Sequence, residues 1–558
     1  MRPIKLLLAA SVAALAACSK ESAPGAGRAA TGGTFIVAGV GEPSDLFPPF
    51  VGDQNGAVVQ TLVFDKLAEI GNDLNTVGDK GFTPRLAKSW TFASDSLSVA
   101  FSIDPRAKWH DGKPVTARDI AYSFKLYTDP KAASPVAPTL SNVDSVTVKD
   151  SLTAVAWFKT HTPSEFYDVV YQLIPVPEHV YGAVPFEQLH TSDVTRKLVG
   201  SGPFRFVKWD PKVRIEMIAD TSNYRGRPNF DRVILVPVSD PTAGAAMVLT
   251  EQADFLQGFP IDQAAKLDSN KTVRLVTAPT EGYTFLGFNR FVPKSRSTPH
   301  PVFSDIRVRK ALSMGVDRVA MLHNVFGQRG ILSRGPFPMS VSFADSTIKL
   351  PPYDTTAAKA LLDSAGWKIG ATGMREKNGR PLRFSLIAPT TSLTRQQYAV
   401  LIQEAYRKLG VQMDIEQMDN VAFLARQDAG DFDAAFASFN TDPNVSGAKQ
   451  SWATSGIGPN GQNKFRYSNK TVDALLDTAS TTFDPAKAKT AASRAFQLIA
   501  DDVPAIFIYD LVFLNAVHRR VNVGPIRADG WWQTMSNWSI APDKRIARDR
   551  IGLAAAKP

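Results

Sequence analysis

Cysteine is almost absent from this sequence: Cys18 is the only one in 558 residues. An intramolecular disulfide is therefore excluded, as is a zinc or iron–sulfur centre held by several thiolates. Long hydrophobic runs are also missing, since no stretch after residue 18 approaches eighteen consecutive apolar residues. The chain must gain its stability from buried surface, and no membrane-spanning helix is predicted beyond that point.

Extremes of composition are missing as well. Hydrophobic residues make up 44% of the chain and charged residues 21%, which excludes a disordered or collagen-like protein. The length predicts three or four domains of roughly 150 residues, although no repeat and no internal low-complexity linker marks their borders. The net charge is +10, but Lys and Arg are dispersed and no zinc-finger, RNP or basic-zipper pattern occurs, so nucleic acid is not expected as a partner.

The lone cysteine ends a targeting segment. Arg2 and Lys5 precede an apolar stretch over residues 6–17, which is too short to span a bilayer about 30 Å thick. The stretch ends in Leu-Ala-Ala-Cys18, which matches the lipobox of bacterial lipoprotein signals; an ordinary secretory signal with an incidental cysteine is the alternative. We expect cleavage before Cys18, acylation of its thiol, and a fall in net side-chain charge from +10 to +8.

Hydrophobic patterning predicts alternating strands and helices. Residues 382–388 read as a strand, residues 391–409 as an amphipathic helix, and residues 411–416 as a half-buried strand. A strand–helix–strand unit implies a parallel sheet with a right-handed crossover. Asp354 is placed to cap a further helix over residues 355–365. The predicted fold class is α/β.

Residues 109–119 (WHDGKPVTARD) contain two groups, His110 and Asp111, that could form a catalytic acid–base pair. The local pattern favours a structural role instead. Asp111-Gly112 is a strong turn signal, because glycine tolerates positive φ. Thr116 is placed to cap a helix that follows it. We predict a strand–turn–helix unit away from any ligand cleft.

Several patterned segments occur in an order that resembles a known family. Residues 109–119 match the form F-H-D-G-x-P-hydrophobic-T-A-x-D, and residues 84–90 (PRLAKSW) match P-x-L-A-x-S-W. Further matches are residues 41–46, 202–204, 223–228, 305–312, 317–318 and 353–366. Together they resemble the family 5 extracellular solute-binding proteins of ABC transporters, which include oligopeptide, dipeptide and nickel binders. The resemblance covers nearly the whole chain after the leader.

The resemblance implies a two-lobed periplasmic-binding-protein clamshell with mixed sheets and three interleaved domains. The expected divisions are residues 1–17 for the signal peptide, 18–33 for the acylated cysteine and flexible tether, 34–75 with 199–283 and 505–558 for domain I, 76–198 for domain II, and 284–504 for domain III, the second lobe. It also implies a lipoprotein that captures a peptide or similar solute between the lobes and hands it to a membrane permease with its ATPase.

Asp442 is the sharpest candidate for a ligand contact. An apolar run over residues 436–439 ends there in polar residues and Pro443, where a strand would meet the cleft. The resemblance implies that an aspartate in this segment, after an aromatic residue, accepts the α-ammonium group of a peptide. Such charged hydrogen bonds contribute roughly 1.5–3 kcal/mol each. Phe439 stands where peptide binders often have tryptophan, and a turn carboxylate before proline is the alternative.

Other ligand contacts are expected from their positions in the chain. The candidates are Asn440 beside Asp442, the loop residues Asp53, Gln54 and Asn55, Tyr283 and Asn289 at the start of the third domain, Arg334 in a glycine-containing loop, and the aromatic residues Trp452 and Tyr467. A guanidinium suits a carboxylate, and aromatic walls suit a ligand side chain. For each residue, core packing or a plain surface position is the alternative.

Enzymatic and metal-dependent functions have little support. Gly-x-Ser-x-Gly and His-Glu-x-x-His are absent, and Ser346-x-x-Lys349 is too short a match to carry a hydrolase. The seven histidines show no i,i+2 or i,i+4 pairing, so no metal site and no cofactor is expected. A nickel-chelate or other solute binder, and a peptide sensor or chaperone on the same scaffold, stay open as alternatives. We expect a monomer in the bacterial periplasm, lipid-anchored to the inner or the outer membrane.

Overall fold

The computed structural model describes residues 31–238, 240–458 and 461–550. The strands are β1 Thr34–Val40, β2 Ala68–Glu69, β3 Thr83–Pro84, β4 Ala87–Phe92, β5 Ser98–Ile103, β6 Val143–Asp150, β7 Thr153–Phe158, β8 Phe204–Asp210, β9 Arg214–Ala219, β10 Arg232–Pro237, β11 Phe255–Leu256, β12 Val273–Phe288, β13 Ile331–Leu332, β14 Lys368–Ile369, β15 Arg375–Lys377, β16 Arg380–Pro381, β17 Arg383–Pro389, β18 Gln412–Met418, β19 Ala434–Asn440, β20 Ala505–His518, β21 Val521–Asn522 and β22 Ser539–Ile540.

The α-helices are α1 Gln54–Val63, α2 Ala117–Thr128, α3 Glu165–Tyr167, α4 Glu178–Tyr181, α5 Pro241–Leu249, α6 Ile306–Met314, α7 Arg318–Phe326, α8 Thr355–Ser364, α9 Leu393–Arg407, α10 Asn420–Ala429, α11 Val445–Trp452, α12 Lys470–Thr481 and α13 Pro485–Asp502. A π-helical turn, Asp168–Gln172, continues α3. Short 3₁₀ segments lie at Pro48–Phe50, Pro130–Ala132, Ala137–Leu140, Phe186–Thr191, Asp193–Arg196, Ile261–Leu267, Thr454–Gly456, Trp531–Asn537, Pro542–Lys544 and Ala547–Arg550.

One mixed sheet of eleven strands runs through the molecule. Its order is β18-β17-β19-β12-β20-β11-β1-β10-β9-β8, with β13 against β20. β17 is parallel to both β18 and β19, whereas β12 is antiparallel to β19 and β20. A separate antiparallel sheet has the order β4-β5-β7-β6. The α/β class with mixed sheets is therefore confirmed.

The predicted strand–helix–strand unit is present as β17, α9 and β18. The two strands pair in parallel, and α9 crosses between them with Tyr398, Ile402 and Tyr406 buried on one face. The spacing of these side chains at four-residue intervals is that of one helix face. Asp354 caps α8 as expected, because its carboxylate accepts the N–H of Ala357 at 2.8 Å.

The described chain forms two halves with separate apolar cores. The first core joins β1 and β10 to the four-stranded sheet, through side chains such as Phe35, Phe101 and Phe166. The second half is built around β17, β19 and α13, with Phe436 and Phe496 among its buried residues. Only β12 and β20 among the described strands of the large sheet contribute long segments to both halves.

A bulge marks the point where β12 and β20 pass from one half to the other. Pro279 pairs with Val512 and Tyr283 with Asp510, so residues 280–282 of β12 stand against Leu511 alone. A bulge of this kind bends a strand and redirects its side chains. Residues 505–510 pair with the second-half segment of β12. We propose that the domain border lies at this bulge, instead of at residues 283 and 505.

The 109–119 segment is a structural unit, as predicted. Gly112 has φ of 90°, and α2 begins directly after Thr116. His110 and Asp111 do not pair with each other. Nε2 of His110 lies 3.0 Å from the carbonyl oxygen of Gly202, and a carboxylate oxygen of Asp111 lies 2.6 Å from Nε2 of His179. The carboxylate of Asp119 is buried and accepts the backbone N–H of Thr116 at 2.8 Å.

Candidate ligand-binding cavity

A cavity of about 630 Å³ lies between the two halves, next to the end of β19. The first half supplies Pro138, Thr139, Ser164, Asp168 and Gln172 to its wall. The second half supplies Ser438, Phe439, Asn440, Thr441, Asp442, Asn444, Ser446, Gly447, Gln450, Ser451 and Gln462. The volume lies within the range typical of small-molecule sites, and the wall is rich in hydrogen-bonding groups.

Asp442 lies on this wall because β19 ends just before it. Its carboxylate accepts the backbone N–H of Asn444 at 3.1 Å, which is the turn that Pro443 favours. The segment is tied to the bulge of β12, since the N–H of Thr441 donates to the carbonyl oxygen of Glu281 at 2.8 Å. Phe439 and Asn440 line the same cavity, so the end of β19 forms part of its wall.

Asp168 faces the cavity from the opposite half. The neighbouring Phe166 fixes this segment to the four-stranded sheet, with its ring 4.9 Å from Trp90 and 5.9 Å from Phe101. Asp168 begins the π-helical turn, a rare conformation that occurs frequently at functional sites. The hydroxyl of Ser164 donates to its carboxylate at 3.2 Å.

Protein on both sides of the cavity disfavours ionisation of its carboxyl groups. Asp442 is exposed to the cavity, but the protein on both sides partly desolvates its carboxylate and raises its pKa to about 6. Burial, reinforced by the charge of Asp442, raises the pKa of Asp168 to about 7. In the bulge, burial and the charges of Asp529 and Asp442 raise the pKa of Glu281 to about 9. Near neutral pH these carboxyl groups are only partly protonated. The cavity therefore keeps a negative potential.

A second cavity of about 320 Å³ adjoins the first. The two cavities share Ser164, Asn444 and Ser446 in their walls. Its other lining residues include Val77 and Pro163 from the first half, and Phe343, Val445, Ala479 and Lys489 from the second. This wall is more apolar than that of the first cavity, so the space between the halves offers a charged chamber next to a less polar one.

Four predicted contacts are in the core and do not line the cavity around Asp442. Tyr283 and Trp452 are fully buried, and the indole N–H of Trp452 donates to the Tyr283 hydroxyl at 2.8 Å. Their rings pack behind the cavity wall, with centroids 6.1 and 6.3 Å from that of Phe439. Their expected role is corrected from ligand contact to support of Phe439.

The other two buried candidates also serve the core. The side-chain amide of Asn289 donates to the carbonyl oxygens of Gly430 and Phe432, at 3.2 and 2.9 Å. Tyr467 is 1% exposed and donates its hydroxyl hydrogen to Asp502 at 2.7 Å. Both side chains are buried and their polar groups are hydrogen-bonded within the protein, so neither is available to a solute. The expectation that Asn289 and Tyr467 contact the ligand is corrected.

The remaining candidates lie away from the cavity around Asp442. Asp53 is the N-cap of α1, and its carboxylate accepts the N–H groups of Gly56 and Ser44 at 2.8 and 2.9 Å. Gln54 and Asn55 form the first turn of that helix. Arg334 is exposed near Arg318 and does not line this cavity. The structure thus brings together only Asp442, Phe439 and Asn440 from the predicted set.

The sequence reasoning missed Ser164, Asp168, Gln172 and Glu281. Asp168 and Gln172 are four residues apart within an apolar stretch, a spacing that places polar groups on one helix face and was the available signal. Glu281 gave no such signal, because its direction depends on the bulge. Cys18 lies outside the described residues, as do residues 1–17.

Neither a metal cluster nor a membrane-spanning helix is found in the described ranges. No group of three or more His, Cys, Asp and Glu side chains is arranged there to hold a metal ion. Across the same ranges, no helix combines the length and apolar character needed to cross a membrane.

Comparison with known proteins shows the family. Residues 81–462 match the model of the bacterial extracellular solute-binding proteins, family 5. The oligopeptide-binding protein AppA of Bacillus subtilis is 24% identical over 509 residues, which is 89% of this chain and 90% of AppA. The chain belongs to the family 5 extracellular solute-binding proteins, as the sequence motifs indicated.

Solved structures share the fold. The structure of AppA in complex with a nonapeptide has a TM-score of 0.70 and 23% identity, covering 92% of this chain and 100% of that one. NikZ from Campylobacter jejuni, in complex with Ni(L-His), has a TM-score of 0.71 and 22% identity, covering 91% and 99%. The ABC transporter substrate-binding protein CtaP from Listeria monocytogenes has a TM-score of 0.77 and 20% identity, covering 91% and 100%. The periplasmic-binding-protein fold is therefore confirmed.

Proposed function

We propose that this protein is the substrate-binding component of an ABC transporter and captures peptides with a free amino terminus between its halves. The observation that carries the proposal is the carboxylate of Asp442 on the wall of the 630 Å³ cavity, whose one hydrogen-bond donor among the described residues is the backbone N–H of Asn444. A ligand ammonium would supply the missing positive charge through short, charged hydrogen bonds. The relative AppA, named as an oligopeptide binder, supports a peptide over other solutes.

The proposal includes delivery of the bound peptide to a membrane permease and its ATPase. Contacts from a ligand to both walls would favour approach of the halves about the bulge in β12 and β20.

We further propose that Cys18 is acylated, that residues 18–33 form a tether at a membrane surface in the periplasm, and that the protein acts as a monomer. Size-exclusion chromatography with light scattering should give a mass near 60.6 kDa, less the leader; a stable dimer would contradict the monomer.

Replacement of the cavity aspartate tests the peptide proposal. The Asp442→Asn variant keeps the size and the accepting oxygen of the side chain but removes its charge. We expect calorimetric titration with tripeptides to show a loss of affinity of roughly tenfold or more, because a charged hydrogen bond contributes about 1.5–3 kcal/mol. The control is Asp543→Asn, an exposed carboxylate near Lys544, which should bind like the wild type.

Native mass spectrometry of the freshly purified protein adds the identity of any retained solute. Unchanged affinity in Asp442→Asn, with the fold intact by circular dichroism, would remove this residue from the site and overturn the peptide proposal as stated.

A further inference from the structure

The cavity around Asp442 has an unusual charge balance. Each half contributes one carboxylate to its wall, Asp442 from the second half and Asp168 from the first. None of the described residues that line it is a lysine or an arginine. A single α-ammonium group bound at Asp442 would therefore leave Asp168 without a cationic partner.

Asp168 is also poorly satisfied by its own surroundings. The hydroxyl of Ser164, at 3.2 Å, is its one hydrogen-bond donor among the described residues. The charges near it are of the same sign: Asp442 across the cavity and Glu165 on its own helix both oppose its ionisation. Two carboxylates facing each other across a space between two halves repel each other most when the halves approach.

The hydroxyl of Tyr167, the residue before Asp168, also lacks a partner among the described residues. The side chain of Tyr167 is 2% exposed, its ring stacks on Tyr171 with centroids 4.9 Å apart, and no hydrogen bond to its hydroxyl occurs among the described residues. The charged groups that act on it are Asp442, Asp168, Glu281 and Asp529. This hydroxyl therefore keeps the capacity to form a hydrogen bond with a ligand or a water.

Arg527, the cation that acts on Glu281, is already engaged. Asp529 is held by Arg527, whose Nε donates at 2.9 Å, and by the hydroxyl of Tyr171 at 2.8 Å. Arg527 also forms an ion pair with Glu69 at 2.9 Å. The negative charges of Asp529 and Glu69 are thus compensated by Arg527, whereas no ion pair among the described residues compensates Asp168 or Asp442.

We propose that the site selects ligands with two positive charges, and that Asp168 is the residue that determines this specificity. The inference rests on the proposed function: Asp442 holds the α-ammonium group of a peptide, and Asp168 accepts the side-chain cation of a lysine or arginine at the first position. The hydroxyl of Tyr167 accepts a hydrogen bond from the same cation or from a water that solvates it. A dication neutralises both walls at once and so favours approach of the two halves.

A matched pair of peptides tests this selectivity. Lys-Ala-Ala and norleucine-Ala-Ala have first side chains of similar length and apolar content but differ by one charge. In calorimetric titrations of the wild type at pH 7.5, we expect the lysine peptide to bind roughly tenfold more tightly or better, the effect of one charged hydrogen bond. In Asp168→Asn the ratio of the two affinities should fall to within about threefold, whereas Asp543→Asn should keep the wild-type ratio.

The outcomes separate this inference from the function on which it rests. Equal affinities in the wild type, or tighter binding of norleucine-Ala-Ala, overturn the dication proposal and leave a general peptide receptor. A wild-type ratio that persists in Asp168→Asn assigns the selectivity to another residue and also overturns the proposal. Failure of both peptides to bind the wild type overturns the peptide function itself and this inference with it.

Discussion

At the scale of single residues, Arg309 shows how a buried charge is accommodated without a salt bridge. The residue is 3% exposed, and its guanidinium donates to the carbonyl oxygens of Phe303, Asp502 and Val503 at 2.6, 2.8 and 3.0 Å. These bonds connect the start of α6 with the end of α13, where α13 meets β20. Burial lowers the pKa of Arg309 to about 10, so it stays charged at neutral pH.

We predict that Arg309→Met lowers the free energy of unfolding by about 3 kcal/mol or more, because it leaves buried carbonyl oxygens without donors. The matched control is Arg307→Met on the same helix, whose guanidinium is exposed and pairs with Asp305. That change should cost less than about 1 kcal/mol. Urea unfolding measures both, and equal effects of the two substitutions would contradict the assigned role.

The residue scale also shows what the sequence could reveal about the site. Asp442 was predictable because an apolar strand that breaks into polar residues and proline must end near a surface. The sequence could not show that Tyr283 and Trp452 lie behind the cavity wall and not on it. An aromatic residue in either place has the same local sequence pattern. Asp168 was missed because the wall it joins is formed by a segment far from Asp442 in the chain.

At the scale of elements, the 109–119 unit depends on one buried carboxylate. Asp119 lies in the first turn of α2 and accepts the backbone N–H of Thr116 at 2.8 Å and that of Glu178 at 2.9 Å. It also accepts the indole N–H of Trp109 at 3.3 Å. The turn, the helix and a second helix are thus joined by one side chain, which explains the aspartate that ends the motif.

We predict that Asp119→Ala destabilises the protein by about 2–4 kcal/mol, since it removes a helix cap and leaves buried N–H groups without acceptors. Ligand affinity at low temperature should change little, because the unit lies outside the cavity wall. Asp95→Ala, which removes an exposed turn carboxylate beside Leu97, serves as the control. Thermal unfolding checks both, and a shift no larger than that of the control would refute the capping role.

Whether a segment forms a helix or a strand was more predictable than how the strands pair. The β17–α9–β18 unit followed from its apolar spacing, because a strand and a helix bury side chains at different periods. The bulge in β12 did not, since three residues standing against one is a property of the pairing with β20 and leaves no mark on the sequence of either strand. Glu281 owes its position near Asp442 to that bulge.

At the scale of the whole molecule, the charges between the halves predict a pH dependence of binding. Desolvation by the surrounding protein raises the pKa of Asp442 to about 6 and, together with the charge of Asp442, raises that of Asp168 to about 7. The groups that surround them are Glu281, Glu165, the Asp529–Arg527 pair and the hydroxyl of Tyr167. A cationic ligand favours the ionised carboxylates, so binding below these pKa values must release protons.

We therefore predict that affinity for a peptide rises as the pH increases from 5 to 7 and then levels off, while the peptide amine, with a pKa near 8, is still protonated. At pH 5 the heat of binding should vary with the ionisation enthalpy of the buffer, which reports proton release. Asp168→Asn should reduce the number of protons released. Affinity that is constant from pH 5 to 7 would contradict the electrostatic description of the cavity.

The central claim is that a ligand ammonium group binds at Asp442 between the two halves. The most direct test is a calorimetric comparison of one lysine-first tripeptide with its N-acetylated form, titrated into the wild-type protein at neutral pH. Acetylation removes the α-ammonium charge and retains every side chain. We predict that it lowers the affinity at least tenfold; equal affinity of the two peptides would contradict the claim.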